Sequence, residues 1–303
     1  MARSAIPLLQ LVRLPNVLTA AADSLAGWLL VGGALSEAGS WAPLALASMV
    51  LYSAGMALND FFDRAIDQAE RPGRPIPSGK VAPSTAAGLG VAGLVLGPAL
   101  AWLSGSTASL VVAALLSAAI LAYDAGLKRS FLGPEIMGAC RGLNLLLGMS
   151  HAPALGGQAG WLAAAAYGLF VAGITWISRS ETESGQTRNL LAGLTLQNLA
   201  FLGLVGAALQ ARSFPHPLSD RPLIPLEGLL VLVLVALTVN MAATRAIYRP
   251  VPAVLQRTVK TGILSLIWIL VGLVLSIRGP AAAAAVAVLW IPAFALGRWL
   301  YST

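Results

Sequence analysis

Carboxylates are scarce in this chain, and where they fall points to chemistry. Of 12 acidic residues in 303, eight lie in or beside three short polar stretches: Asp60, Asp63, Asp67, Glu70, Asp124, Glu135, Glu181 and Glu183. The first stretch reads Asn59-Asp60-Phe61-Phe62-Asp63-Arg64-Ala65-Ile66-Asp67, and Pro72 is the first residue that would break a helix there. At about 100° per residue, Asn59, Asp60, Asp63 and Asp67 fall within an arc of roughly 100° and share one helix face. Carboxylates crowded on one face repel one another unless cations offset them. Oxygen-only ligands favour magnesium over zinc or copper, and magnesium commonly bridges carboxylates to phosphate oxygens. The pattern therefore points to a phosphorylated substrate. Arg64, Arg71, Arg74 and Lys80 follow at once and could meet the same phosphates. The competing reading is a solvated helix end whose acids pair with the neighbouring arginines.

The elements that must position these residues are membrane spans. Hydrophobic residues make up 57% of the chain and charged residues 10%, and the mean hydropathy of +0.80 leaves too little polar surface for a water-soluble fold. Apolar runs near 16–34, 42–58, 85–103, 107–123, 133–149, 161–177, 190–209, 226–244, 261–277 and 281–300 predict an all-α, polytopic helical bundle of nine or ten transmembrane helices. We expect one integral-membrane domain over residues 1–303, with the basic start leading into a first anchor. With the N-terminus cytoplasmic, 15 of the 19 Lys and Arg residues fall inside, Arg141 lies within a span, and only Arg212, Arg221 and Arg278 fall outside. That bias follows the positive-inside rule and accounts for the net charge of +7 without a nucleic-acid partner. The same parity puts all three acidic stretches on one side of the membrane.

Together, Asn59-Asp60-x-x-Asp63-x-x-x-Asp67, Arg13-Leu14-Pro15-Asn16, Arg74-Pro75-Ile76-Pro77-Ser78-Gly79 and Tyr123 with Lys128 and Arg129 resemble the UbiA superfamily of intramembrane prenyltransferases. The resemblance implies a helical bundle around a lipid-facing cavity, with magnesium and an isoprenyl diphosphate at its cytoplasmic mouth. It implies transfer of the prenyl group to an aromatic or other hydrophobic acceptor. On this pattern Asn59, Asp60, Asp63 and Asp67 would hold Mg2+, Lys128 and Arg129 would meet diphosphate, and Tyr123 would line the cavity near the reacting carbon. Asp60, Asp63, Tyr123 and Lys128 are thus the expected catalytic residues. A bacterial inner membrane is the expected location.

Two stretches depart from that pattern. After the sixth span stands Ser178-Arg179-Ser180-Glu181-Thr182-Glu183-Ser184-Gly185, with glutamates where aspartates are usual. Glu181 and Glu183 would lie about 200° apart on a helix, so both reach one metal only where the helix frays. This stretch, with Gly138 to Asn144, is similar to the EboC-like branch of the superfamily, which is associated with metabolite delivery. The alternative function is therefore a catalytically altered protein that binds a prenyl diphosphate or assists metabolite export. A CDP-alcohol phosphotransferase is disfavoured because the chain contains no Asp-Gly dipeptide.

Within the spans, Arg141 and Asn144 share a face at i, i+3. A buried arginine there implies a cavity or a carboxylate partner, for which Asp23 is the obvious candidate. Asn16 is expected either to meet an acceptor or to cap the first helix. The single Cys140 is read as packing. His151 and His216 are read as loop histidines, and tryptophans near span ends as an interfacial belt.

Overall fold

The computed structural model describes residues 2–180, 187–211 and 226–301, and these contain helices and turns but no strand. The helices are α1 (Ala2–Leu11), α2 (Leu14–Leu30), α3 (Ala38–Phe62), α4 (Arg64–Glu70), α5 (Pro83–Trp102), α6 (Thr107–Ala125) and α7 (Gly133–Met149). They continue with α8 (Gly157–Arg179), α9 (Thr187–Gln210), α10 (Leu226–Tyr248), α11 (Pro252–Arg278), α12 (Pro280–Ala287) and α13 (Trp290–Tyr301). Each of the ten expected apolar segments lies mostly in helix, although the first runs four residues past the end of α2. Among the described residues eight helical segments are long and apolar enough to cross a bilayer, or nine if the bent pair α1 and α2 forms one span. At 17 residues, α7 is shorter than those eight, although it packs at the centre of the bundle. The tenth segment is broken at Val288 and Leu289 into α12 and α13.

The first bend is local chemistry. Arg13 sits between α1 and α2 in the left-handed region at φ 51°, and the two helices meet at 49°. That conformation costs a non-glycine residue about 1–3 kcal/mol, so surrounding contacts must hold it. Pro15, in the first turn of α2, has its own φ locked near the helical value and loses no intrahelical donor there. Asn16 is the third residue of α2, and the capping position belongs to Arg13, whose carbonyl accepts from the Asn16 amide at 2.8 Å. The capping reading of Asn16 is thereby corrected.

From there α2 runs through the middle of the bundle, against α3, α7, α11 and α13, while α7 bridges α2, α6 and α8. Close helix approach depends on small residues. A Cβ on Gly148 would strike the Ser24 carbonyl of α2, and one on Gly138 would strike the Gly168 carbonyl of α8. Without water to drive association, such close packing is what holds α7 between its neighbours. Outward-facing Val91, Val95, Leu202 and Leu237 are exposed, as expected of lipid-facing surface.

Candidate active site at one end of the bundle

The residues that follow α1, α3, α6 and α8 meet at one end of the bundle. The expected continuous helix through the acidic motif does not form. α3 ends at Phe62, Asp63 adopts a non-helical conformation (φ −89°, ψ 2°), and α4 begins at Arg64. The break divides the acids into two sets. Asp60 and Asp67 share Arg74, whose Nη1 lies 3.4 Å from Asp60 Oδ1 and 2.6 Å from Asp67 Oδ2. Arg13 Nη2 reaches Asp60 Oδ1 at 3.6 Å, so the strained bend above delivers a cation to the site. On the other side, Lys128 Nζ donates to Asp63 Oδ2 at 2.7 Å and lies 3.9 Å from Asp124 Oδ1, and Arg129 Nη2 is 3.5 Å from Asp63. Asn59 Nδ2 donates to Asp124 Oδ1 at 3.0 Å, tying α3 to α6.

Of the nearby basic residues, Arg74, Lys128 and Arg129 contact the acids, but Arg64 and Arg71 do not. The Arg64 guanidinium donates to the Phe61 carbonyl and lies over the Phe61 ring, and Arg71 is exposed. Neither is paired with a carboxylate at this end of the bundle, Arg64 at the start of α4 and Arg71 just beyond its end. Glu181 and Glu183 lie outside the described residues.

Four carboxylates face four cations here, so charge is balanced without a metal. Among the described residues no three carboxylates converge as a ready-made metal cage. The donor set still suits magnesium, which takes oxygen ligands and usually binds through one or two carboxylates plus water and substrate phosphate. Each of the two acid sets offers that number.

Arg179, at the end of α8, holds the turn that presents Lys128. Its Nη2 donates to the Lys128 carbonyl at 3.2 Å and to the Ser130 carbonyl, and its guanidinium stacks on Trp176. Trp176 in turn donates to Glu135 at 2.9 Å. Sequence reading assigned no role to Arg179 and placed Trp176 in an interfacial belt. Asp124 was counted among the clustered acids but given no role, although its i, i+4 spacing from Lys128 was a usable signal.

Below this charged mouth lies a cavity of about 520 Å³, its opening included, between α2, α3, α6 and α7. Tyr123 and Asp124 border it, and Leu51, Met56, Leu116, Ile120 and Met137 form apolar walls. Cys140, read as packing, also lines it. Ser48, Arg141 and Asn144 lie along its other end, and Asn16 does not line it. Arg141 meets both expectations, cavity and carboxylate. Its Nη1 donates to fully buried Asp23 at 2.7 Å, its Nη2 to Thr19 Oγ1 at 3.1 Å, and its guanidinium lies over Tyr52. Asp23 also accepts from Asn144 Nδ2 at 3.0 Å and from the Tyr167 hydroxyl at 2.6 Å.

Away from this site, His151 Nε2 lies 3.0 Å from Ser104 Oγ, and its ring meets Trp28 edge-on. Burial lowers its pKa, opposed by Glu37. The loop reading of His151 holds, while His216 lies outside the described residues.

The fold and this site describe a multi-pass membrane protein whose charged mouth opens over an apolar cavity. Residues 21–184 match the UbiA prenyltransferase family, and the chain belongs to that family. It is similar to the digeranylgeranylglyceryl phosphate synthase of Methanothrix thermoacetophila, at 37% identity over 40% of this chain and 45% of that protein. The chain spans about half the length of the curated relatives it matches. Among solved structures it resembles a UbiA homologue from Aeropyrum pernix K1 (TM-score 0.65, 21% identity, 84% of this chain and 96% of that one). It also resembles a UbiA homologue from Archaeoglobus fulgidus bound to GPP and Mg2+ (TM-score 0.61, 13% identity, 84% and 98%). At these identities the structural likeness speaks to the fold. These relatives are archaeal and lend no support to a bacterial inner membrane.

Proposed function

We propose that this chain is a magnesium-dependent intramembrane prenyltransferase. It takes an isoprenyl diphosphate and alkylates a hydrophobic, aromatic or amphiphilic acceptor. The observation that carries this reading is the juxtaposition of paired carboxylates and cations with the apolar cavity directly beneath them. Family membership and the GPP and Mg2+ bound to the Archaeoglobus homologue support it.

On this reading Asn59, Asp60, Asp63, Asp67 and Asp124 hold magnesium. Lys128, Arg129, Arg74 and Arg13 then turn from the carboxylates to the diphosphate oxygens. Bound magnesium supplies positive charge that offsets the departing diphosphate. The cationic side chains add preorganised donors where negative charge develops, and the apolar walls keep water from the allylic carbon. Tyr123 borders the cavity beside Asp124 and places an aromatic ring near that carbon. The bond from the allylic carbon to diphosphate oxygen breaks, diphosphate keeps the electron pair, and the acceptor forms the new bond and loses a proton. The bias of basic residues supports a cytoplasmic N-terminus, which puts the charged mouth on the cytoplasmic face.

The test is turnover. Reconstituted protein with magnesium, a prenyl diphosphate and candidate acceptors should release diphosphate, and Asp60→Ala and Asp63→Ala should each slow the release about 100-fold. A donor that binds with magnesium but is never consumed would favour the altered, export-assisting alternative. Full activity in both variants would remove these aspartates from the site.

A further inference from the structure

The inner end of the cavity has no part in the chemistry proposed for the mouth, yet it holds a buried polar atom with no partner. Asn144 is 5% exposed and lines the space with Ser48 and Arg141. Its Nδ2 spends both hydrogens, one on the Ala20 carbonyl and one on Asp23 Oδ2, each at 3.0 Å. A carbonyl and a carboxylate can only accept, so the amide cannot be turned over. Oδ1 is therefore the free end of the amide, and with α2 behind the nitrogen it is the end turned toward the cavity. Among the described residues no donor reaches it. Three other buried polar atoms share that condition, Ser180 Oγ, Gln197 Oε1 and Trp290 Nε1, but none belongs to a residue lining this cavity.

What this end can take follows from what is already spent. Arg141 gives Nη1 to fully buried Asp23 at 2.7 Å and Nη2 to Thr19, so its charge is neutralised in place. Tyr167 also donates to Asp23 from α8, and the ion pair so built gives the inner end its shape and holds the Asn144 amide fixed. Ser48 gives its hydrogen to the Ala20 carbonyl at 2.6 Å, which leaves its oxygen able only to accept. The cavity thus meets two acceptor oxygens, Asn144 Oδ1 and Ser48 Oγ, beside a cation that already has its counter-ion. A carboxylate or phosphate brought there would have no hydrogen for either oxygen and would add an unbalanced buried charge. A neutral hydroxyl or N–H would instead satisfy Asn144 Oδ1, a kind of atom that costs about 1–3 kcal/mol when buried without a partner.

We infer that the inner end of the cavity receives a neutral hydroxyl or N–H of the prenyl acceptor, hydrogen-bonded to Asn144 Oδ1, while the acceptor's reacting atom lies toward Tyr123. The inference rests on the prenyl-transfer reading above and adds the class of the acceptor: an uncharged molecule with a donor group remote from the atom that is alkylated. Between the two ends Leu51, Leu116, Ile120 and Met137 form apolar walls that suit its ring or chain. That preference sets this chain apart from relatives whose name carries a glyceryl phosphate. Asn144 recognises the acceptor and leaves the diphosphate at the mouth untouched, so its loss falls on the choice between acceptors.

The experiment uses the full chain in lipid nanodiscs with magnesium and farnesyl thiolodiphosphate, whose poor leaving group suppresses turnover. Once that donor is bound, the protein is titrated with a dihydroxynaphthalene, its mono-methyl ether and the matching hydroxynaphthoate. The diol should bind about tenfold tighter than either, because a site built around a hydroxyl leaves its own oxygen unpaired when the hydroxyl is missing. Asn144→Leu should bring diol and ether to within about threefold of each other while the farnesyl donor binds as before. If that variant does not fold, the wild-type ranking keeps the test in force. An ether or a carboxylate that binds as tightly as the diol, a preference that persists in Asn144→Leu, or three acceptors that all fail to bind would overturn the inference while leaving the prenyl-diphosphate reading intact. Failure of the farnesyl donor to bind would overturn both.

Discussion

Two clusters of the same residue types, aspartate with arginine or lysine and an asparagine, sit at opposite ends of one cavity and are built differently. At the mouth Asp60 and Asp63 each meet two cations, and Arg74 and Lys128 each meet two carboxylates, at 2.6 to 3.9 Å; Asp60, Asp67 and Asp124 are buried, but Arg13, Arg74 and Arg129 are partly exposed to solvent. At the inner end of the cavity, its floor, one fully buried carboxylate, Asp23, receives three donors from two helices, none longer than 3.0 Å. Carboxylates that share cations reaching solvent can exchange them for a ligand at modest cost. Partners that are saturated and dry cannot, because a lone buried charge has nothing to replace its counter-ion. The same chemistry therefore serves binding at one end and shape at the other.

The contrast is open to direct attack, and the floor should yield the largest effect. Asp23→Ala leaves Arg141 buried without its counter-ion and should cost about 3–5 kcal/mol, seen as a large fall in thermal stability. The double variant Asp23→Leu, Arg141→Met should recover most of that loss, since a packed apolar pair replaces a buried ion pair at small cost. At the mouth, Asp63→Ala should leave thermal stability nearly unchanged and lower turnover about 100-fold, the scale of losing one charge-stabilising group. A stability loss at Asp63 as large as that at Asp23 would erase the distinction.

Tyr167→Phe sharpens it further. Losing one of three donors to buried Asp23 should cost about 2 kcal/mol in stability. Donor affinity measured at the mouth should stay the same. The smallest effect is expected from Arg179→Gln, which frees the turn carrying Lys128 without removing a ligand. Turnover should drop about tenfold, the low end for loss of a supporting partner, mostly through KM, and Arg179→Lys should restore only part. An unchanged KM would show that the turn needs no such support.

Much of this arrangement was legible before any coordinates. Long apolar runs in a chain this poor in charge mark the spans, and the side-to-side parity of Lys and Arg correctly groups the turns after α3, α6 and α8. Spacing also brought Arg141 and Asn144 to one face and suggested Asp23 as their partner. What local periodicity could not show is where the chain breaks and what it meets across the fold. The turn at Asp63 sends Asp60 to Arg74 and Asp63 to Lys128, 65 residues away. Tyr167 reaches Asp23 across 144 positions. Arg13 enters through a backbone conformation that side-chain patterns do not signal, and Arg64 turns back onto the carbonyl and ring of Phe61.

The central claim is that the mouth exchanges its internal ion pairs for magnesium and a diphosphate headgroup. Calorimetric titration of the reconstituted chain with farnesyl thiolodiphosphate, with and without magnesium, addresses it most directly. Tight binding that requires the metal and disappears in Asp63→Ala is the predicted result. Equal affinity in the presence of a chelator, or unaltered binding by the variant, would contradict the account.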